Sequence, residues 1–175
     1  MLAILPGNHE TQTIGQKIDD AYAIKKRLTQ LEGSIDLVII DTSPTPSLLH
    51  GAIYLATDAI VYPTTCEAFS LRGLVKTTAN LKNFSDMRVD AGGKAIQTLG
   101  ILPTMFRPST VEHSENLNDL HEQYPGHVWD PIRLRITWSE ASMLRRPVFN
   151  IEPDSAASKE MWHAIDQAER MLAYV

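Results

Sequence analysis

A chain of 175 residues with 43% hydrophobic and 21% charged side chains has the size and composition of one globular domain. Its single cysteine, Cys66, excludes an internal disulfide framework and any multi-cysteine metal site. The net charge of −5 does not announce a nucleic-acid binder, and the longest aliphatic run, Leu37–Ile40, falls far short of the roughly 18 residues of a membrane span.

Strand and helix signals alternate along the chain. Leu2–Leu5 is a short apolar run stopped by the turn signal Pro6-Gly7-Asn8. Ile18, Ala21, Ile24, Leu28 and Leu31 recur at helical spacing, with Gly33 placed to end the helix. Leu37-Val38-Ile39-Ile40 has no polar residue alternating through it and predicts a strand buried on both faces, ending at Asp41. Ser47 is placed to cap a helix through Ala56, and Ala59–Tyr62 predicts a second strand closed by Pro63. Leu71, Leu74, Val75, Thr78, Leu81 and Phe84 trace an amphipathic helix. Gly92-Gly93 leads into a third inner strand, Ile96–Leu102, stopped at Pro103. Ser109-x-x-Glu112 has the pattern of a capping box opening a polar helix to about Tyr124, and His127–Ile132 predicts a short strand. A last helix, Asp154 to about Ala173, turns Ala157, Met161, Ile165, Ala168 and Leu172 inward.

This alternation predicts a single α/β domain over residues 1–175, three layers deep, with a mostly parallel sheet covered by helices on both faces. Ligands of such sheets bind beyond the carboxyl ends of the strands. Those ends are Asp41-Thr42-Ser43-Pro44, Pro63–Glu67, Pro103-Thr104-Met105 and the 132–140 segment. Charge is also uneven. Residues 70–94 carry Arg72, Lys76, Lys82, Arg88 and Lys94 against Asp86 and Asp90; residues 131–147 carry Arg133, Arg135, Arg145 and Arg146 against Glu140. The plain reading of both is a solvated face; the sharper one is a local phosphate-binding surface. The six histidines lack metal-ligand spacing and read as surface or capping residues, and Cys66 as a small buried hydrophobe. No basic and apolar leader opens the chain, so a cytoplasmic protein without a membrane partner is expected.

At its strand ends the sequence resembles a known family. Ile35–Pro44 (I-D-L-V-I-I-D-T-S-P) is similar to the Walker B and switch segment of the ParA/Soj/MinD partitioning ATPases, and Ala59–Gly73 to their next strand and helix start. Ile101–Met105 resembles their inner strand, and Leu2–Asn8 the strand that precedes the helix before Walker B. Ser139-Glu140-Ala141 followed by Arg146-Pro147-Val148 resembles their S-E-A-P-S-x-G-K-P-V stretch. The resemblance implies a P-loop NTPase-like fold, ATP and magnesium as cofactors, ATP-dependent dimerisation, non-specific DNA binding and a ParB-like centromere-binding partner.

Carried residue by residue, the resemblance makes Asp41 the Walker B carboxylate that orders magnesium through water. Thr42 and Pro44 become the γ-phosphate-sensing switch, with Ser43 replacing a proline of that turn. Thr104 and Met105 line the base pocket or pack in the core; Glu140 and Ala141 border the nucleotide; Arg133, Arg135, Arg145 and Arg146 contact DNA. Glu67 matches a family position and equally suits a helix N-terminus. The family's phosphate-cradling glycine loop is missing: no G-x-x-x-x-G-K-[ST] occurs, and Gly92-Gly93-Lys94-Ala95 precedes a strand rather than following one. The expectation is therefore a family domain incomplete at its N-terminal side and inactive alone as an ATPase. The alternative is a non-catalytic scaffold. Strands of the family domain that would flank Leu37–Ile40 are absent as well, so a homo-oligomer or a partner chain is expected to cover that segment. Association with the nucleoid follows if DNA binding holds.

Overall fold

The computed structural model describes residues 4–7, 13, 14, 17–42 and 47–173. These residues gather into two compact units interleaved in sequence: residues up to Asp58 with Leu81–Ile96, and Ala59–Asn80 with the chain from Gln97 onward.

In the first unit, α1 spans Ala23–Thr29 and α2 Leu48–Ala56. The predicted Ile18–Leu31 helix shrinks because Asp20 accepts the Tyr22 N–H at 2.9 Å, turning the chain just before α1. Gly33 takes φ +78° in the turn that follows, where Ile35 N–H reaches back to the Leu31 carbonyl. Leu37–Ile40 corrects the expectation of a doubly buried strand. It makes no strand, and Leu37, Val38, Ile39 and Ile40 are 57%, 45%, 85% and 37% exposed. The apolar run supplies the propensity, but a strand exists only where a neighbour accepts its ladder hydrogen bonds, and among the described residues none does. Residues 4–7 are likewise irregular; Leu2 and Ala3 of the predicted Leu2–Leu5 run, and Asn8 of the turn predicted to stop it, lie outside the described residues.

Helix α3, Ala68–Asp90, begins in the second unit and ends in the first. Near its end Arg88, 4% exposed, reaches the Thr57 carbonyl with Nη1 and the Asp58 carboxylate with Nη2 (2.7 Å). Its Nε has no partner among the described residues. Tyr54 stacks on Phe84 at 5.3 Å in the same unit.

The second unit holds the sheet. Strands β1 (Ala59–Thr65) and β2 (Gln97–Thr104) pair in parallel, from Ala59 with Gln97 to Thr65 with Thr104, with one irregularity between Ile60 and Val61. β1 does not stop at Pro63, as predicted, because a proline costs a strand nothing where its missing N–H would face away from the partner. On its other side β2 is flanked by the 127–134 segment. Trp129 and Ile132 N–H donate to the Ile101 and Pro103 carbonyls (both 2.9 Å), and Phe106 N–H to the Ile132 carbonyl (3.0 Å). Only isolated parallel bridges form there, Ile101 with Val128 and Phe106 with Arg133. Pro131, having no N–H, interrupts the ladder.

The helices after β2 are α4 (Val111–Gln123), α5 (Ile136–Leu144), the single turn α6 (Val148–Ile151) and α7 (Ala156–Leu172). Residues of α7 pack against β2, closing a core of Leu99, Trp129, Ile132 and Ala164. Gly100 is required there: a Cβ on it would lie 2.0 Å from Trp129 Nε1. The predicted capping box at Ser109 is replaced. Thr110 precedes α4 without a side-chain cap, and Glu112 instead accepts the Ala68 N–H at 3.3 Å, capping α3. His113 departs from the surface reading: it is 3% exposed, and its Nδ1 accepts the Arg107 N–H. Cys66 is fully buried as read, and burial pushes its thiol up to about 11.

Candidate functional site

In the first unit, Asp41 and Thr42 follow the irregular Leu37–Ile40 segment and are exposed; Pro44, the other switch residue, lies outside the described residues. The remaining candidates belong to the second unit.

Thr104 ends β2 half-buried, its hydroxyl donating to the Thr64 carbonyl at 3.3 Å. That bond ties the carboxyl ends of the two strands together. Met105 follows at φ +52° and is 57% exposed, which removes the core alternative for its side chain. A non-glycine residue held left-handed at a strand's carboxyl end stores strain where parallel sheets place their sites. Glu67, exposed, offers its carbonyl to Leu71 N–H at the start of α3, the helix-start alternative of its two readings.

Glu140 and Ala141 sit on α5 and diverge. Glu140 is exposed, whereas Ala141 is 7% exposed and packed with Val148 and Ala157. One helix position apart, they point about 100° away from each other, so a common ligand does not follow from α5 alone.

The four arginines divide into two pairs. Arg135 grips Glu160 of α7 through Nη2–Oε1 at 2.6 Å and Nε–Oε2 at 3.4 Å; the carboxylate raises the already high Arg135 pKa further. Arg133 gives its backbone N–H to the same carboxylate at 3.1 Å and brings its Nε to 3.8 Å. Trp138 Nε1 donates to the Arg133 carbonyl at 3.0 Å, fastening the segment to α5. Arg145 and Arg146 are exposed and make no ion pair among the described residues. Their backbone is nonetheless fixed: Arg145 N–H reaches the Ser142 carbonyl and Arg146 N–H the Ala141 carbonyl, both at 3.1 Å. Arg145 closes α5 at φ +52°, the place where the S-E-A-P-S-x-G-K-P-V stretch has glycine. Sequence reading picked out these arginines but missed Glu160, which lies 25 residues beyond Arg135 with no spacing rule to link them.

A nucleotide with magnesium does not fit these residues. The sequence has no glycine loop to wrap phosphates, the Thr104 hydroxyl is spent on Thr64, and Ala141 faces a hydrophobic cluster. No group of three or more His, Cys, Asp or Glu side chains able to hold a metal occurs among the described residues. A cavity between α3 and α4, lined by Leu71, Leu74, Leu120 and Tyr124 among others, measures about 180 Å³ and includes none of the candidate residues. It is smaller than the ~300 Å³ at which ligand pockets begin. No helix among the described residues is long and apolar enough to cross a membrane.

Comparison with known proteins places the chain. The AAA domain family matches residues 3–91, which is half of the sequence. An uncharacterized protein of Mycobacterium tuberculosis is 32% identical over 124 residues, covering 70% of this chain and 38% of the relative. The virulence plasmid ParA family protein of Chlamydia psittaci is 27% identical over 146 residues, covering 83% of this chain and 53% of the relative. The chain thus spans about half, or less, of the length of these relatives. In fold it is similar to Cyanothece McdA, solved as an ATP complex, with a TM-score of 0.70 over 94% of this chain and 60% of that one at 17% identity. An α/β fold with a parallel sheet, the family-model match and the ParA family relatives agree: the chain belongs to the AAA domain family, as a ParA-like member.

Proposed function

We propose that this chain is the DNA-facing part of a ParA-like partitioning ATPase, binding duplex DNA without sequence preference through Arg133, Arg135, Arg145 and Arg146. The observation that carries the reading is the concentration of four arginines against one acid within residues 131–147 of a chain whose net charge is −5. The exposed pair, Arg145 and Arg146, stands on a fixed helix end. Guanidinium groups on a rigid backbone read phosphate charge and shape rather than base identity.

In this reading Asp41, Thr42 and Pro44 occupy the family's Walker B and switch positions, and Thr104, Met105, Glu140 and Ala141 its nucleotide-side positions, without forming a nucleotide site in these 175 residues. ATP and magnesium belong to the family's reaction, and McdA has been solved with ATP. The 175 residues here have no phosphate grip, so the chain alone does not hydrolyse ATP. ATP-dependent dimerisation then needs a phosphate-binding loop from elsewhere. The exposed Leu37–Ile40 run is where a second copy or a partner chain adds strands, and a ParB-like protein is the expected regulator. A nucleoid-associated cytoplasmic location goes with this reading. A second reading, a scaffold without nucleotide chemistry, is favoured by the same missing glycine loop.

Fluorescence anisotropy with two unrelated duplexes tests the DNA face. Charge reversal at both Arg145 and Arg146 should weaken binding equally for the two sequences and flatten the dependence of log K on log salt by about 1.8, two phosphate contacts' worth. Binding unchanged by that double substitution removes the assignment. Calorimetric titration with magnesium–ATP addresses the nucleotide: silence fits the reading, and micromolar binding restores a working site.

A further inference from the structure

The four arginines are not equally free, and the difference traces to one carboxylate. Glu160 is 23% exposed and receives three kinds of donor: the Arg135 guanidinium in a two-point grip, the Arg133 main-chain N–H, and the Arg133 side chain at the edge of ion-pairing range. Because one donor is backbone, the position of the carboxylate is tied to the chain as well as to a flexible side chain. Arg135, 29% exposed, cannot reach a phosphate without giving up a bidentate charge-assisted pair, a stronger arrangement than an ordinary surface ion pair. Arg145 and Arg146 face no such competition among the described residues.

We propose that Glu160 is a built-in counter-charge that withholds Arg135, and in part Arg133, from polyanions, so that Arg145 and Arg146 make the phosphate contacts until Glu160 is neutralised or displaced. This rests on the DNA-binding reading above and deepens it: the contact surface has a resident half and a masked half. A phosphate array dense enough to outbid Glu160 recruits the second half, whereas an isolated anion does not.

Glu160→Gln tests this in the 175-residue chain. The amide oxygen still accepts the Arg133 N–H, so the segment stays in place while the charge is lost. The variant should bind a mixed-sequence duplex more tightly and with a steeper salt dependence. Each added phosphate contact makes the loss between about 50 and 200 mM salt roughly 3.5-fold greater, and two contacts roughly twelvefold. Arg135→Ala added to Glu160→Gln should return the slope to the wild-type value. Glu169→Gln, which removes the same charge from an exposed position elsewhere on α7, should change affinity only slightly and the slope not at all. The mask is refuted if Glu160→Gln leaves the slope unchanged, or if Glu169→Gln matches its effect. Wild-type binding that disappears on reversing Arg145 and Arg146, with no response to Glu160→Gln, refutes the mask and leaves the DNA reading standing. No binding by either the wild type or Glu160→Gln refutes both. Circular dichroism melts of each variant confirm that the fold is retained.

Discussion

Gly100→Ala is the sharpest perturbation of the sheet. A Cβ there would stand 2.0, 2.4 and 2.7 Å from Nε1, Cε2 and Cδ1 of Trp129, so the indole has to retreat by roughly 1 Å before even a tight contact of 3.0 Å is reached. Trp129 is 6% exposed within the core, and its Nε1–H donates to the Leu99 carbonyl at 3.3 Å. Movement away from Gly100 therefore loosens that bond inside a packed core. Overpacking costs about 1–3 kcal/mol, and a buried donor left without its acceptor a similar amount. The two effects overlap in one displacement, giving a loss of about 2–5 kcal/mol from a total of the order of 5–15. Urea unfolding followed by far-ultraviolet circular dichroism measures it. The same substitution on a Trp129→Leu background should cost about 1 kcal/mol or less, because the offending ring is gone. Gly73→Ala on α3, where an added Cβ meets nothing within 4 Å, should instead stabilise by up to about 1 kcal/mol. A Gly100→Ala cost below about 0.5 kcal/mol, the range of an ordinary surface change, would refute the packing argument.

Arg145→Gly should raise stability by about 1 kcal/mol by relieving the left-handed backbone, while weakening DNA binding; an increase in both, or a loss in both, contradicts the trade of strain for charge. The buried member of the Arg88–Asp58 pair is the arginine, with side-chain exposures of 5% and 72%. Asp58→Ala should thus cost more than Arg88→Met, about 3 against 1–2 kcal/mol in thermal melts, since the first leaves a buried guanidinium underpaired and the second leaves an exposed carboxylate in water. For Cys66 the folded thiol sits at about 11 against 9.0 in the open chain. The unfolded state releases its proton first, so stability is fully present below pH 9 and falls by up to about 2–3 kcal/mol as pH climbs to 11. Cys66→Ala should flatten that part of the urea-midpoint profile, and an unchanged profile would count against burial as the cause.

What the sequence made legible follows from how local each signal is. β1, β2 and α7 are readable because their apolar spacing meets its partners within the second unit, and α3 because its stripe is apolar along its length, with Phe84 meeting Tyr54 in the first unit. The Gly33 turn and the buried Cys66 were readable from residue type alone. Leu37–Ile40 differs from its pattern because strand propensity is not a strand: the four residues carry the pattern, but pairing is a property of two segments. Ser109 differs similarly. The capping-box spacing was present, yet Glu112 found a better acceptor role at the N-terminus of α3, more than 40 residues away. His113 looked like any polar helix residue until Arg107 supplied its hydrogen bond. The arginine segment is visible as a charge imbalance, while its division into Arg133 and Arg135 bound to Glu160 and Arg145 and Arg146 without an ion pair among the described residues comes from the packing of α7.

The most direct test of the account is one anisotropy titration of a mixed-sequence duplex with the 175-residue chain, run with and without magnesium–ATP. A DNA-facing surface lacking its own phosphate grip gives two superimposable, salt-sensitive isotherms. Tightening on addition of ATP, or no binding in either condition, would contradict it.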